Sequence, residues 1–174
     1  MAKEETQKLA LDSSVAVYIL PGAKSDNDES KRKKANMLFS ERRFEFVIPT
    51  PVISEVLCAV PLNKRDVLKA EIYKNFVVLD FNASSAELAA SLFSSKNQIH
   101  QIGQGEKARV KFDAQIIGIC ASWNIDGLCS YDEKQCTRYN RLMKEIGKET
   151  SKYAGQPEHF IDNKLLLLSI DGNK

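Results

Sequence analysis

Residues 111–134 carry the pattern that most restricts how this chain can fold. Counting from Asp113, apolar side chains recur three, four and seven positions later, at Ile116, Ile117 and Cys120. This spacing is typical of an α-helix with one buried face. Asp113 heads the same row of side chains, so the pattern predicts that a carboxylate at the start of a helix faces the interior.

The same stretch continues into a turn and a short strand. Asp126-Gly127 is a typical turn pair, and residues 128–131 are apolar or tolerant of β-structure before the chain reaches Asp132. In open α/β sheets, ligands bind at the edge where the strands end. The sequence therefore predicts that Asp113 and Asp132 share this edge.

Strand and helix signals alternate along the rest of the chain. The segment at 76–81 is continuous and β-branched, as in a central parallel strand. Alternation of this kind predicts an α/β fold, a three-layer α/β/α sandwich around a mostly parallel sheet, and the length of residues 1–174 suits a single domain. The other predicted segments are strands at 9–11, 46–48 and 165–170 and a polar connection at 150–160.

The composition excludes several classes of protein. The formal net charge is only +2, so nucleic acid would have to bind a local basic patch and not a global field. The four cysteines form no C-x-x-C pair and the two histidines lie far apart, which argues against a zinc site. A charged N-terminus and the lack of a long apolar run predict a soluble, cytoplasmic protein that does not enter a membrane.

Two basic segments are candidates for a local patch. Residues 31–34 read Lys-Arg-Lys-Lys, and Lys107, Arg109 and Lys111 alternate just before Asp113. Basic runs of this kind either form a solvated helix face or contact phosphates. The candidate contacts to a nucleic-acid backbone are Lys33, Lys34, Lys107, Arg109 and Lys111.

Two further acidic residues occupy unusual positions. Asp12 follows the first predicted strand, where it either faces a ligand or caps the next helix. Glu55 lies in a predicted helix, residues 52–60, that is apolar nearly all round. A carboxylate in such a helix is unfavourable unless it is protonated, paired with a residue such as arginine, or bound to a metal.

Together, Asp12, Glu55, Asp113 and Asp132 describe acids that converge on one rim. Carboxylates that lie close together repel each other unless a cation neutralises them. Oxygen ligands without histidine or thiolate favour Mg²⁺ or Mn²⁺ over zinc. Such a site suits the hydrolysis of a phosphodiester by water that a metal ion activates.

Each of these acids lies in a short motif, and the motifs occur in a fixed order along the chain. They are Leu-Ala-Leu-Asp-Ser-Ser-Val at 9–15, Pro-Val-Ile-Ser-Glu-Val-Leu at 51–57, Phe-Asp-Ala-Gln-Ile-Ile-Gly at 112–118 and Leu-Cys-Ser-Tyr-Asp at 128–132. The ordered set resembles the PIN-domain ribonuclease family, most closely the toxins of VapBC-type toxin–antitoxin pairs. The resemblance implies a PIN-like fold and an endonuclease that acts on RNA and depends on Mg²⁺ or Mn²⁺.

The resemblance also implies roles for individual residues. Asp12, Glu55 and Asp113 match the acids shared across that family, and Asp132 matches its more variable fourth acid. On this basis Asp12, Asp113 and Asp132 would hold the metal. Glu55 would complete the acidic site or position the attacking water.

Two hydroxyl residues and the chain boundaries follow from the same resemblance. Ser14 and Ser130 match positions where the family often has small polar residues, and they would orient carboxylates or water through hydrogen bonds. The family pattern covers a core of about residues 9–135. It leaves a polar insertion near 94–110 and a C-terminal extension at 136–174.

The resemblance suggests RNA as the substrate, with an antitoxin protein and a second copy of the chain as possible partners. One alternative is a non-catalytic PIN-like module that binds RNA or protein, although the presence of all four acids counts against it. Another is an RNA-processing nuclease that is not a toxin. An aspartate-based phosphotransferase of the haloacid-dehalogenase type would carry Asp-x-Asp after its first strand, where this chain has Ser14 in the second position.

Overall fold

The fold is built on one parallel β-sheet. The structure is a computed structural model that describes residues 6–23, 25–93, 107–148 and 152–161. Five parallel strands pair in the order β3–β2–β1–β4–β5. The strands are β1 (Gln7–Leu11), β2 (Phe44–Pro49), β3 (Val77–Leu79), β4 (Gly127–Cys129) and β5 (Tyr153–Gly155).

Helices connect and cover these strands, which confirms the predicted α/β/α sandwich. Within the described ranges they are α1 (Ser13–Ile19), α2 (Glu29–Phe39), α3 (Thr50–Cys58), α4 (Leu62–Asn75), α5 (Ala83–Ser91), α6 (Lys107–Ser122), α7 (Glu133–Glu145) and α8 (Pro157–Ile161). Strand residues such as Leu11, Ile48 and Leu128 are completely buried, as expected for parallel strands covered on both faces. No helix of the described segments combines the length and the apolar character needed to cross a membrane.

The order in which strands are added to the sheet changes sides at β1. The chain moves from β1 to β2 and β3 on one side, and then returns to pair β4 with the other side of β1. Leu11 is in register with Cys129, so β1 and β4 end side by side. A crevice at this topological switch point is the usual ligand site of an open parallel sheet. Asp12 directly follows β1, and Ser130 directly follows β4.

The apolar run at 76–81 is a strand, but the predicted central position is wrong. It forms β3 at one edge of the sheet, and only Val77–Leu79 have strand structure. Val77 is 44% exposed. A continuous apolar run identifies a strand, whereas its burial and its place in the sheet depend on the crossovers between strands, which a short segment does not encode.

Two predicted boundaries also need correction. Ile116, Ile117 and Cys120 are buried on α6, which confirms the helical spacing. That helix begins at Lys107, however, so residues 107–110 are helical and not part of a polar insertion, while residues 94–106 lie outside the described segments. Asp113 is therefore in the second turn of α6 and not at its start.

The connection predicted at 150–160 is also structured. It contains β5 and α8, and the ring of Phe160 packs edge-on against Phe44. The segment is short and polar, but its few apolar residues are buried. The strand predicted at 165–170 lies outside the residues that the structure describes.

Gly118 allows α5 and α6 to approach closely. A Cβ atom at this position would overlap the carbonyl oxygen of Ser85 and lie 3.0 Å from the Cβ of Ala89. Intrinsic helix propensity alone predicts that Gly118→Ala stabilises the protein by about 1 kcal/mol. We expect the opposite, a loss of about 2 kcal/mol or more in the free energy of unfolding, because the packed helices must separate.

Chemical denaturation of the purified variant measures this loss. The control is Ala90→Gly at an exposed position of α5, which should lose only the propensity difference of about 1 kcal/mol. A Gly118→Ala protein as stable as the original chain would contradict the close packing.

Candidate active site

Asp12 is the most enclosed of the predicted acids. It is 6% exposed, and its Oδ2 accepts hydrogen bonds from Ser14 N at 3.3 Å, Ser14 Oγ at 2.7 Å and Ser130 Oγ at 2.9 Å. The bond from Ser14 N makes Asp12 the N-cap of α1, so Asp12 both caps a helix and lies at the end of a strand. Among the residues that the structure describes, its Oδ1 receives only a 3.4 Å contact from Gln135 Nε2.

Ser130 connects Asp12 to Asp132. It is completely buried, and its Oγ donates to Asp12 while accepting from the backbone N–H of Asp132 at 3.0 Å. Ser14 Oγ similarly accepts from the backbone N–H of Tyr131 at 3.0 Å. The two serines predicted from the sequence therefore hydrogen-bond the loops that follow β1 and β4.

We expect Ser130→Ala to destabilise the protein by about 1–3 kcal/mol, because it removes one donor to Asp12 and leaves the Asp132 N–H without its acceptor. Thermal or chemical unfolding in metal-free buffer measures the change. Ser30→Ala on the exposed surface of α2 is the matched control and should be close to neutral. Equal stability of the two variants would contradict a structural role for the Ser130 hydroxyl.

Asp132 caps α7 and forms an ion pair with an arginine. Its Oδ1 accepts from the backbone N–H groups of Lys134 at 2.9 Å and Gln135 at 3.3 Å, which places the carboxylate at the positive end of the helix dipole. Its Oδ2 is 2.6 Å from Arg109 Nη2. The Asp132 carboxylate in turn raises the pKa of the Arg109 guanidinium. Because the Arg109 side chain is 66% exposed, this ion pair faces solvent.

Asp113 is buried and paired with Arg138, with Oδ2 at 2.5 Å from Nη1. The pKa of Asp113 is raised to about 6, chiefly by burial; Arg138 lowers it, the carboxylates of Asp132 and Asp12 raise it, and Arg109 lowers it. Arg138 lies on α7, the helix that Asp132 caps, so its bond to Asp113 holds α6 beside the residues that follow β4.

Glu55 lies on α3, facing the same region. Burial raises its pKa, a hydrogen bond from Ser13 lowers it, the carboxylate of Asp12 raises it, and Arg109 lowers it. Glu55 thus responds to the charges of Asp12 and Arg109. The helix that carries it packs against α1, which Asp12 caps, and against α6, which carries Arg109.

The structure thus brings Asp12, Glu55, Asp113 and Asp132 to one rim, and it adds two residues that sequence reasoning missed. Gln135 and Arg138 are three positions apart on α7, so they project from one face of that helix. This face contacts Asp12 and Asp113. The sequence carried a weak signal, namely polar residues on the same side of an amphipathic helix as Leu142.

The basic residues predicted to contact RNA differ in their surroundings: two form ion pairs and three are exposed. Arg109 binds Asp132, and Lys34 Nζ lies 2.7 Å from Glu158 on α8. Lys33, Lys107 and Lys111 are exposed. The first turns of α6 therefore present Lys107 and Lys111 to solvent, on a different side of the helix from Arg109, whereas Lys34 is paired with Glu158.

The donor set fits a hard cation, although the carboxylates are not arranged around one. Among the described residues, no three His, Cys, Asp or Glu side chains form a group that could hold a metal ion as they stand. Two of the acids instead form ion pairs, Asp132 with Arg109 and Asp113 with Arg138. The rim offers oxygen ligands, and a buried acceptor on it, Gln135 Oε1, has no hydrogen-bond partner in the described segments, which is the kind of atom that an ion or its water satisfies.

Comparison with known proteins identifies a family for this chain. The sequence profile described as PIN domain matches residues 9–140. No curated protein shows significant sequence similarity to the chain.

Solved structures share the fold. A structure of VapBC2 from Rickettsia felis, bound to a DNA fragment from the promoter, is similar with a TM-score of 0.52 and 14% identity, covering 86% of this chain and 98% of that chain. VapC20 of Mycobacterium tuberculosis, described as a toxin that cleaves the sarcin-ricin loop, is similar with a TM-score of 0.53 and 12% identity, covering 74% of this chain and 93% of that chain. At sequence identities this low, the structural similarity shows a common fold alone.

Proposed function

This chain belongs to the PIN domain family, and on that basis we propose that it is a metal-dependent endoribonuclease that hydrolyses RNA phosphodiester bonds. The observation that carries the proposal is that Ser130 joins Asp12 and Asp132 by hydrogen bonds where β1 and β4 end. Asp113 is tied through Arg138 to the helix that Asp132 caps, and Glu55 lies on α3, which packs against α1 and α6. Acids enclosed together in this way need a counter-charge. The rim contains both acids and arginines. A phosphodiester with a bound cation suits it best, because the acids match the cation and the arginines match the phosphate.

Asp12, Asp113 and Asp132 are the residues that would hold Mg²⁺ or Mn²⁺. When bound, such a cation supplies an activated water and neutralises charge that develops on the phosphate. Ser14 and Ser130 fix Asp12 Oδ2 by hydrogen bonds, which leaves Oδ1 directed to the rim. A carboxylate held in this way loses little freedom when it binds an ion.

Glu55 has the properties of a group that orients or deprotonates the attacking water. Burial raises the pKa of its carboxyl group, and a raised pKa brings a carboxylate closer to the range in which it accepts protons efficiently at neutral pH. Attack by water on phosphorus in line with O3′ forms one P–O bond, breaks the P–O3′ bond and leaves a 5′-phosphate and, once O3′ takes up a proton, a 3′-hydroxyl. These ends are part of the proposal.

The basic residues at the start of α6 complete the site. Lys107 and Lys111 are exposed on the same helix as Arg109, and the mostly exposed Arg109 can exchange Asp132 for a substrate phosphate. Cations near an acidic crevice lower the repulsion that RNA would otherwise meet. We assign these residues, with Lys33 and Lys34 on α2, to the RNA backbone.

We further propose that the protein is the cytoplasmic toxin of a toxin–antitoxin pair, with an antitoxin as partner and a second copy of the chain as a possible one. The support is the shared fold with the Rickettsia felis and Mycobacterium tuberculosis proteins, whose descriptions name a VapBC pair and an RNA-cleaving toxin. A short DNA-binding protein encoded immediately upstream would support this assignment. Its absence would favour a role in RNA processing.

The activity is tested by incubating the purified chain with end-labelled RNA hairpins in Mg²⁺, in Mn²⁺ and in excess chelator. We expect cleavage in either metal, none in chelator, and fragments that carry 5′-phosphates. Cleavage that persists in chelator and leaves 2′,3′-cyclic phosphates would reject the proposed chemistry. The absence of cleavage on every RNA and in every metal tested would reject the enzymatic function.

A further inference from the structure

Gln135 is a buried polar residue whose amide oxygen accepts no hydrogen bond from the described residues. It is 1% exposed and lies in the first turn of α7, directly beside Asp12. Its Nε2 is 3.4 Å from Asp12 Oδ1, which is a long hydrogen bond. Its Oε1 is buried and has no partner among the residues that the structure describes.

An acceptor buried without a partner is unfavourable, and native proteins rarely keep one unless water or an ion completes it. Turning the amide around does not solve the problem, because Oε1 would then face the Asp12 carboxylate, which only accepts. A methionine or leucine would fill the same space without an unsatisfied atom. The position of the amide therefore points to a ligand on the rim.

The two oxygens of Asp12 indicate where that ligand binds. Oδ2 already accepts bonds from Ser14 N, Ser14 Oγ and Ser130 Oγ. Within the described residues, Oδ1 receives only the weak contact from Gln135. Oδ1 is thus the oxygen with capacity left for a cation, and the Gln135 amide lies next to it.

We propose that Gln135 supplies a neutral oxygen ligand, directly or through one water, to the divalent cation that Asp12 binds. Amide oxygens are ordinary ligands of hard cations, and a neutral ligand adds no negative charge to a rim that already holds several acids. As the amide stands, Nε2 stays on Asp12 Oδ1 and the unpartnered Oε1 accepts the cation or one of its waters. The inference rests on the proposed function, since it requires a cation at this rim.

The test measures Mn²⁺ binding by calorimetry in the absence of RNA, together with thermal unfolding without metal. Gln135→Met keeps the approximate shape and removes both polar atoms. We expect its Mn²⁺ affinity to fall by about tenfold or more, while its metal-free melting temperature stays equal or rises. Gln7→Met, at the opposite end of β1, is the matched control and should bind Mn²⁺ as the original chain does.

Gln135→Glu gives a second readout that packing alone does not produce. The added carboxylate beside Asp12 should lower the metal-free melting temperature and enlarge the rise in melting temperature that Mn²⁺ causes. This variant also decides the question if Gln135→Met does not fold. A Gln135→Glu protein with the same Mn²⁺-induced rise as the original chain would count against the ligand.

Other outcomes separate this inference from the proposed function. If the original chain binds Mn²⁺ and Gln135→Met binds it equally well, the ligand is wrong and the metal-dependent function stands. If Gln135→Met is as destabilised without metal as a cavity variant and keeps its Mn²⁺ affinity, Gln135 has only a packing role. If the original chain binds no Mn²⁺, both proposals fail.

Discussion

Asp12→Asn should abolish RNA cleavage, with a loss of at least about 100-fold in rate, and should leave the fold intact. The substitution removes the negative charge that a cation requires but keeps the shape of the side chain. The asparagine oxygen can still accept from Ser14 and Ser130, and its NH₂ group can donate to Gln135 once that amide turns. The buried hydrogen bonds are therefore retained while the ligand is lost.

Cleavage of end-labelled RNA in Mn²⁺ buffer measures the effect, and unfolding curves verify the fold. The matched control is Asp80→Asn. Asp80 also follows a strand, but that strand is β3 at the edge of the sheet, and Asp80 is exposed. The control should cut RNA at the rate of the original chain. An Asp12→Asn protein that still cleaves RNA in metal-containing buffer would reject the nuclease assignment.

The stability of Asp113→Asn relative to the original chain should rise with pH. Below about pH 4, Asp113 is protonated in both the folded and the unfolded chain, so its ionisation contributes no difference. Between pH 4 and the folded pKa of about 6, the unfolded chain releases a proton that the folded protein retains. The original chain therefore loses stability as pH rises through this window, and above pH 6 the whole penalty is present.

A shift of about two pKa units corresponds to about 3 kcal/mol. Asparagine does not titrate, so the free energy of unfolding of Asp113→Asn, relative to the original chain, should increase by about this amount between pH 4 and pH 7. Urea denaturation in chelator at several pH values measures it. The control is Asp66→Asn, whose carboxylate is 90% exposed and should show no such trend. A difference that stays constant with pH would mean that Asp113 is not buried in this environment.

The sequence predicts those features of this protein that are encoded locally. An acid that follows a strand can be recognised from a few neighbouring residues, and Asp12 directly follows β1 as predicted. The strand predicted at 128–131 is shorter, however, and ends at Cys129, so Asp132 lies three residues beyond it as the N-cap of α7. Helical spacing within α6 correctly places Asp113 on a buried face. The α/β class follows from the alternation of such windows, since parallel strands need helical crossovers.

Features that depend on how distant elements dock could not be predicted. The edge position of β3 results from the crossovers, and the two arginine pairs require α6 and α7 to be placed against the sheet. The start of α6 was missed because its first turn, around Lys107 and Arg109, has few apolar residues to mark a helical period. Gln135 looked like an ordinary helix residue until its neighbour Asp12, far away in sequence, was known.

The pairing of β1 with β4 has a consequence for the way the protein is made. The hydrogen bond from Ser130 to Asp12 joins residues 118 positions apart, and Asp113 and Arg138 also belong to the later part of the chain. A ribosome delivers residues in order, so Asp12 emerges long before the groups that complete the rim. The proposed nuclease site is therefore incomplete until the chain as far as α7 has left the ribosome.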